Sequence, residues 1–358
     1  MTRTDWTVKQ PVLKKSVTHV VKLYDPRQWR EKGLWWTLGL FAITYVIIVL
    51  VLGIIWSRSP GHFDVYENAL NFANGDANKI VVGSVTAATT IQIGETLLHK
   101  NGGYLINDKT PPGVYLDNIP NWEFGALTEL RDLAYSLRNE FSRAQSQSAE
   151  DKDLEIAQPQ LNYNSDSWIL PSTESEYNKG IKALRRYAER LADDRALDGQ
   201  FFARADNLVM YLQVVEKRLG NLAQRLSYAA GQDQLNTTLA GDPSARQSTP
   251  VPAQVHNQTP WGEIDDVFFE ARGYTWALLH TLESIEIDFD AVLKDKNAVV
   301  SLRQIIRELK NTQDSIWSPM ILNGTGFGAM ANHSLVMASY VSRANAAIAE
   351  LRALLRQG

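Results

Sequence analysis

The chain has 358 residues, no cysteine and a formal net charge of −4. Without cysteine it can form no disulfide, no thiolate metal site and no thiol nucleophile. The acidic balance argues against nucleic acid as a partner, and the length is sufficient to bury a substantial hydrophobic core.

The first 33 residues form a short basic segment with eight basic and three acidic residues, a net charge of +5. Its apolar residues Leu13, Val17, Val20 and Tyr24 recur at spacings of four, three and four. This spacing predicts a short amphipathic helix on the membrane surface, held there by attraction to anionic lipid. A disordered topology signal is the alternative, and in either case the segment is too short to hold a signalling domain.

The next 23 residues, from Leu34 to Trp56, carry no charge. A helix of that length is about 34 Å long, enough to cross a hydrocarbon core of about 30 Å. Trp35 and Arg58 are typical of the headgroup regions at the two ends. A buried core helix and a cleaved signal peptide are the alternatives, but signal peptides usually have a shorter apolar region and a small-residue cleavage site. We therefore predict one transmembrane helix over 34–56.

The charges on the two sides of this helix predict its orientation. Basic flanks remain in the cytoplasm, so the segment 1–33 is expected there. The residues after the helix then carry a net charge of −9. We expect them to form an acidic body outside the cytoplasm, which in a bacterium is the periplasm.

The exported body is predicted to be all-α, because helical periodicity dominates after Pro60 and alternating strand patterns are few. Proline-bearing and polar stretches divide it. The predicted parts are a membrane-proximal helical region at 57–148, a linker at 149–172, a helical hairpin at 173–230, a flexible linker at 231–261 and a C-terminal helical bundle at 262–358.

The clearest helical pattern lies in 201–229, where apolar residues repeat every three and four positions as a heptad seam. Such a seam requires a partner helix. The preceding helix begins with the capping-box spacing Thr173 to Glu176 and repeats with the same rhythm. We expect the two to form a coiled-coil-like antiparallel hairpin, with packing against another subunit as the alternative.

Side chains capable of chemistry are scattered along the body. Glu95 with His99, and His280 with Glu283, share helix faces but lack the Glu-x-x-His order of di-metal bundles. The acidic run 283–290 is interpreted as a solvated helix end, and the glycine-rich run 323–328 as a hinge. The sequence therefore predicts no catalytic residue, no metal site and no cofactor.

The most unusual stretch is the connector 101–125, which concentrates glycine, proline, aromatic and amide residues. Gly102 and Gly103 end one helix, and Asn121 can cap the next near Trp122. One interpretation is a well-packed connector. The other is an interaction surface, since rigid loops of this composition make good contact sites. The candidate binding residues are Tyr104, Pro112, Asn118 and Trp122.

At Gly-Gly-Tyr-Leu and at Pro-Pro-Gly-Val through Trp-Glu-Phe-Gly in this connector, the chain resembles a family of proteobacterial single-span inner-membrane proteins known only as a domain of unknown function. The resemblance extends over most of the chain. It implies a Gram-negative source and an inner-membrane location, and it assigns no catalytic residue.

Together these features predict a non-enzymatic scaffold or accessory subunit of a cell-envelope assembly, with a protein partner or a second copy of the chain bound to it. Its contact with membrane lipid is expected through the span and the basic tail. The alternative is an envelope enzyme or lipid-binding factor with a site built from dispersed residues. A sensor would require a separate cytoplasmic partner.

Overall fold

The computed structural model describes residues 23–144, 149–193, 198–235, 254–318, 320–324 and 328–357. It is 69% helical, with 12 helices and little strand within those ranges, which confirms the all-α prediction. The chain divides into two units, Met1–Ile55 and Trp56–Gly358. The amphipathic helix predicted in the basic segment falls almost wholly on residues 1–22, outside the described ranges.

In the part of the first unit that the structure describes, from residue 23 onward, there are two helices. α1 is Pro26–Lys32, and the Asp25 side chain caps it by accepting from the backbone N–H of Arg27 at 2.9 Å. Gly33, with φ +85°, then separates α1 from α2, which is Leu34–Trp56. The bounds of α2 are those of the predicted span. With a mean hydropathy of 2.9, it is long and apolar enough to cross a membrane.

The second unit, from Trp56 onward, is the body. Its helices, in chain order, are α3 Val65–Phe72, α4 Ser84–His99, α5 Asn118–Ser136, α6 Leu154–Leu161, α7 Thr173–Leu191, α8 Ala205–Ser227, α9 Ile264–Asp288, α10 Asp290–Asp295, α11 Val299–Asn311 and α12 His333–Arg356. Two short strands, β1 Gln232–Leu235 and β2 Gln254–Asn257, pair antiparallel with Gln232 opposite Asn257. Helix α6 lies within the segment predicted as the first linker, and the strands lie within the second.

The centre of the body is the parallel crossing of α5 and α9, where two glycines let the backbones meet. A Cβ atom added to Gly273 would lie 1.8 Å from the carbonyl oxygen of Trp122. One added to Gly125 would lie 1.9 Å from the carbonyl oxygen of Glu270. Both distances are far below van der Waals contact, so the crossing requires glycine on each helix.

The heptad seam of α8 is buried as expected, but its partner differs from the predicted one. Leu208, Leu212, Val215 and Leu219 are fully buried. The seam packs along α12, whereas α7 packs on α4 and α6. α8 and α12 have 23 and 24 residues, so they match in length along the whole contact. Periodicity identified the apolar face of α8, but the helix that covers it is distant in sequence.

Candidate functional site

The residues that follow α2 lie at one end of the body. The Trp56 ring sits against Gly102, where an added Cβ would approach the indole Cγ to 2.7 Å. Arg58 lines a cleft of about 780 Å³ together with Asn118 and Trp317. We call this end, marked by these five residues, the proximal end. It brings together the segment after α2, the connector and the loop after α11.

A short segment after α2 is fixed to α9. The indole Nε1 of Trp276 donates to the carbonyl oxygen of Gly61 at 3.0 Å, and the backbone N–H of Phe63 donates to Nε2 of His280 at 3.1 Å. The Phe63 ring stacks on His280 with centroids 4.0 Å apart. His62 Nε2 lies 2.7 Å from the carboxylate of Glu283. We call these contacts of Gly61, His62 and Phe63 with α9 the clamp. They hold the backbone after α2 on the core of the body.

The hydrogen bonds of His280 define its protonation state. Nδ1 lies 2.7 Å from the carbonyl oxygen of Trp276 and must donate to it, so Nε2 is the acceptor of the neutral ring. The pKa of His280 is lowered to about 4, mainly by burial; the hydrogen bond to Trp276 and the charge of Glu283 raise it, and His62 and Lys310 lower it. A proton on Nε2 would remove the acceptor that the backbone of Phe63 uses. The clamp therefore requires neutral His280.

We expect acid to release the clamp. The pKa of His280 in the folded protein is about 4, below its ordinary value of 6.5. Between these two pH values the unfolded or released form therefore binds more protons than the clamped form. The clamp weakens as pH falls through that window. A nitroxide on Gly61→Cys, a position with no atom within 4 Å of its Cβ site, reports the mobility of the segment. In the full chain its motion should increase on acidification toward pH 4, while far-UV circular dichroism retains the helical signal.

The His280→Leu variant keeps much of the side-chain volume but has no acceptor. It should give a mobile label already at neutral pH, and its mobility should not change with acidification. His99→Leu is the matched control, because that side chain is 63% exposed and lies outside the clamp. An immobile label in His280→Leu would show that the histidine does not hold the segment.

A second fixed point of the proximal end is the carboxyl group of Glu123, which organises the connector. It accepts from the backbone N–H groups of Leu105 and Ile106 at 3.0 Å, and it pairs with the ammonium of Lys100. The two charged side chains are 3% and 0% exposed. Burial raises the pKa of Glu123 to about 7, against Lys100 and the two N–H groups, which lower it. The connector is therefore built on a buried ion pair.

The four candidate binding residues lie in or beside this connector, mostly inside the body. Tyr104 is 4% exposed, and its hydroxyl donates to the carbonyl oxygen of Ser165 at 3.0 Å. Trp122 is fully buried against Trp276, with ring centroids 5.0 Å apart. Pro112 is buried and Asn118 is half-buried. An interaction surface in this region remains a prediction, and the exposed side chains available to it are those of neighbouring residues.

The helix after the connector begins earlier than the sequence suggested. α5 starts at Asn118, and the side chain of Asp117 caps it by accepting from the backbone N–H of Asn118 at 2.8 Å. Asn121, expected as the cap, lies inside the first turn and donates to Asp266 on α9 at 2.7 Å. In the sequence, an aspartate directly before the apolar helical periodicity could have predicted this cap.

Two other buried carboxyl groups were missed by the sequence reasoning. Asp288 is 6% exposed and accepts from the backbone N–H and hydroxyl of Thr86 at 2.7 Å. The Asp288 carboxylate thus accepts hydrogen bonds from the first turn of α4. The prediction that the whole acidic run 283–290 is solvated is therefore wrong at Asp288. Glu129 is fully buried and accepts from the Tyr211 hydroxyl, and burial raises its pKa to about 8. In the sequence, Glu129 falls among the apolar positions of α5, and that placement could have predicted its burial.

Comparison with known proteins agrees with the resemblance found in the connector. A family model described as an uncharacterized protein conserved in bacteria (DUF2333) matches residues 29–358. The chain belongs to this family. The match covers the whole body and all of α2, which confirms the resemblance to a family of unknown function. Searches of curated proteins and of solved structures find no match.

Proposed function

We propose that this DUF2333 protein is a single-span protein of the bacterial inner membrane whose body lies in the periplasm. There it acts as a non-enzymatic scaffold or accessory subunit of a cell-envelope assembly. The observation that most supports this proposal is the clamp. It attaches the residues that follow α2, a helix long enough to span a membrane, to the core of the helical body. An attachment of this kind ties the residues after the span to the helical core of the body, as a membrane-anchored scaffold requires.

The charge distribution supports the orientation in this proposal. The segment before α2 has a net charge of +5, and the residues after it carry −9. Positive flanks are retained in the cytoplasm, so the body is placed on the opposite side.

The absence of cysteine makes the orientation directly testable. We expect a single cysteine at Val300→Cys, where the valine is 76% exposed, to react with a membrane-impermeant maleimide in cells with a permeabilised outer membrane. A cysteine at Thr7→Cys should react only after the inner membrane is disrupted. The chain should also resist carbonate extraction from membranes. Reaction of both positions only after disruption would contradict the periplasmic placement.

The scaffold role is tested by chemical cross-linking in intact cells followed by mass spectrometry. We expect cross-links from the body either to a second copy of the chain or to envelope proteins. In the His280→Leu variant we expect fewer of the cross-links that depend on a fixed clamp. In the His99→Leu variant we expect the cross-links to be unchanged. A body that cross-links to neither, in cells where the chain is abundant, would rule out the scaffold.

A further inference from the structure

We propose that the proximal end of the body rests on the membrane and that four exposed aromatic side chains insert into the headgroup region of the adjacent leaflet. This inference rests on the proposed function, because it requires α2 to span the bilayer. The four are the aromatic residues of the described body that are more than half exposed: Tyr115 at 74%, Trp168 at 56%, Trp261 at 83% and Trp317 at 96%.

Two of these residues precede the paired helices at the centre of the body. Tyr115 comes three residues before α5, and Trp261 three residues before α9. The hydrogen bond from Asn121 to Asp266 joins the first turns of these parallel helices. Both aromatic residues therefore lie at the same end of the body as Asn118, which lines the cleft together with Arg58.

The other two lie on loops that are anchored at this same end. Trp317 follows α11 and lines the cleft with Arg58, and the guanidinium of Arg272 holds its loop through the carbonyl oxygen of Asp314 at 2.8 Å. The loop of Trp168 is tied to the connector, because Asn107 donates to the carbonyl oxygen of Ser167 at 2.9 Å. The connector in turn contacts Trp56 through Gly102.

The opposite end of the body has a different composition. It is marked by Asp288 at the end of α9, about 36 Å along a 25-residue helix from the proximal end. The most exposed apolar residues there are aliphatic, with Val82 at 55% and Val300 at 76%, while Tyr135 near the end of α5 is 49% exposed. Among the described residues, no aromatic side chain there is more than half exposed.

Such segregation is what a membrane interface requires. Exposed apolar residues that are scattered singly over a protein surface are normal. The four aromatic residues are instead grouped at one end of the body. Tryptophan and tyrosine combine an apolar ring with a polar atom, so they are enriched where hydrocarbon meets the headgroups. In the chain only Ser57 separates α2 from Arg58, and Arg58 lines the cleft with Trp317. The bilayer is therefore the partner whose chemistry and position both fit.

The charges at this end indicate how the body binds lipid. Lys109 is exposed near Tyr115, while four acidic residues are exposed near the aromatic side chains: Asp117, Asp166, Glu263 and Asp314. Because both signs are present, attraction to anionic lipid is not expected to dominate. Insertion of the aromatic rings should therefore be similar in zwitterionic and anionic bilayers.

The test uses the full chain reconstituted in nanodiscs of phosphatidylethanolamine, with or without phosphatidylglycerol. Nitroxide labels are placed at Ile169→Cys and Met320→Cys, which are 65% and 58% exposed and leave the tryptophans intact. The controls are Val82→Cys and Val300→Cys at the opposite end. We expect the ratio of collisions with oxygen to collisions with a water-soluble nickel chelate to be several-fold higher at 169 and 320 than at the controls, in both lipid mixtures.

Replacing Trp168 and Trp317 by serine in the labelled chains should shift the ratio at both test positions toward the control value without changing the circular dichroism spectrum. Nickel accessibility at 169 and 320 equal to that at 82 and 300 would overturn the inference while leaving the anchor intact. Protection from both oxygen and nickel would also overturn it, because protein would then cover these loops. A chain that does not enter nanodiscs would instead contradict the proposed function itself.

Discussion

Replacing Gly273 by alanine is expected to lower the free energy of unfolding by about 3 kcal/mol or more, at the upper end of overpacking effects. The added methyl group would lie 1.8 Å from the carbonyl oxygen of Trp122, which is backbone and cannot rotate away. α5 and α9 would have to separate, and Trp122 would lose its contact with Trp276. Urea unfolding of the full chain in mild detergent, followed by tryptophan fluorescence, measures the change.

Gly220→Ala is the matched control, since it makes the same substitution in the interior of α8. Its nearest neighbour would be the amide nitrogen of Asn345 at 3.5 Å, an ordinary contact. Alanine should stabilise this helix by about 0.5 to 1 kcal/mol through its lower backbone entropy in the unfolded chain. If Gly273→Ala and Gly220→Ala change the free energy of unfolding in the same direction, the close crossing of α5 and α9 is wrong.

Glu123→Gln is expected to cost about 3 to 5 kcal/mol, the range for breaking one partner of a buried ion pair. Glutamine has nearly the same shape and still accepts from Leu105 or Ile106. Its amide cannot neutralise Lys100, whose side chain is 3% exposed. An unpaired ammonium is therefore left in the core beside the connector. The same urea titration measures the loss.

Adding Lys100→Met to Glu123→Gln should recover part of the stability, because the double variant has no buried charge at this position. With Lys100→Met measured alone as well, the coupling energy of the pair is the change in the double variant minus the changes in the two single variants. Lys294→Gln serves as the control, since it removes an exposed pair with Asp290 that is expected to contribute less than about 0.5 kcal/mol. A loss for Glu123→Gln no larger than for Lys294→Gln would mean that the connector does not depend on the ion pair.

Several elements of the body were predictable because their signals are local. The apolar run gave the bounds of α2, and the heptad spacing identified the buried face of α8. The start of α5 was less accurate, because Asp117 and Asn121 are both acceptable caps and only the contact of Asn121 with Asp266 distinguishes them. The clamp was not predicted, since Gly61 and His280 are more than 200 residues apart and carry no shared pattern.

By itself, the sequence determined the uncharged helix at 34–56, the basic flank before it, the acidic helical body after it and the family to which the chain belongs. These follow from composition and periodicity along single segments. Only the tertiary structure decided which helix covers α8, which carboxyl groups are buried and where the four most exposed aromatic residues of the described body lie. Those features depend on pairing between distant segments: a buried charge such as Glu123 is stable only where donors from elsewhere in the chain converge on it.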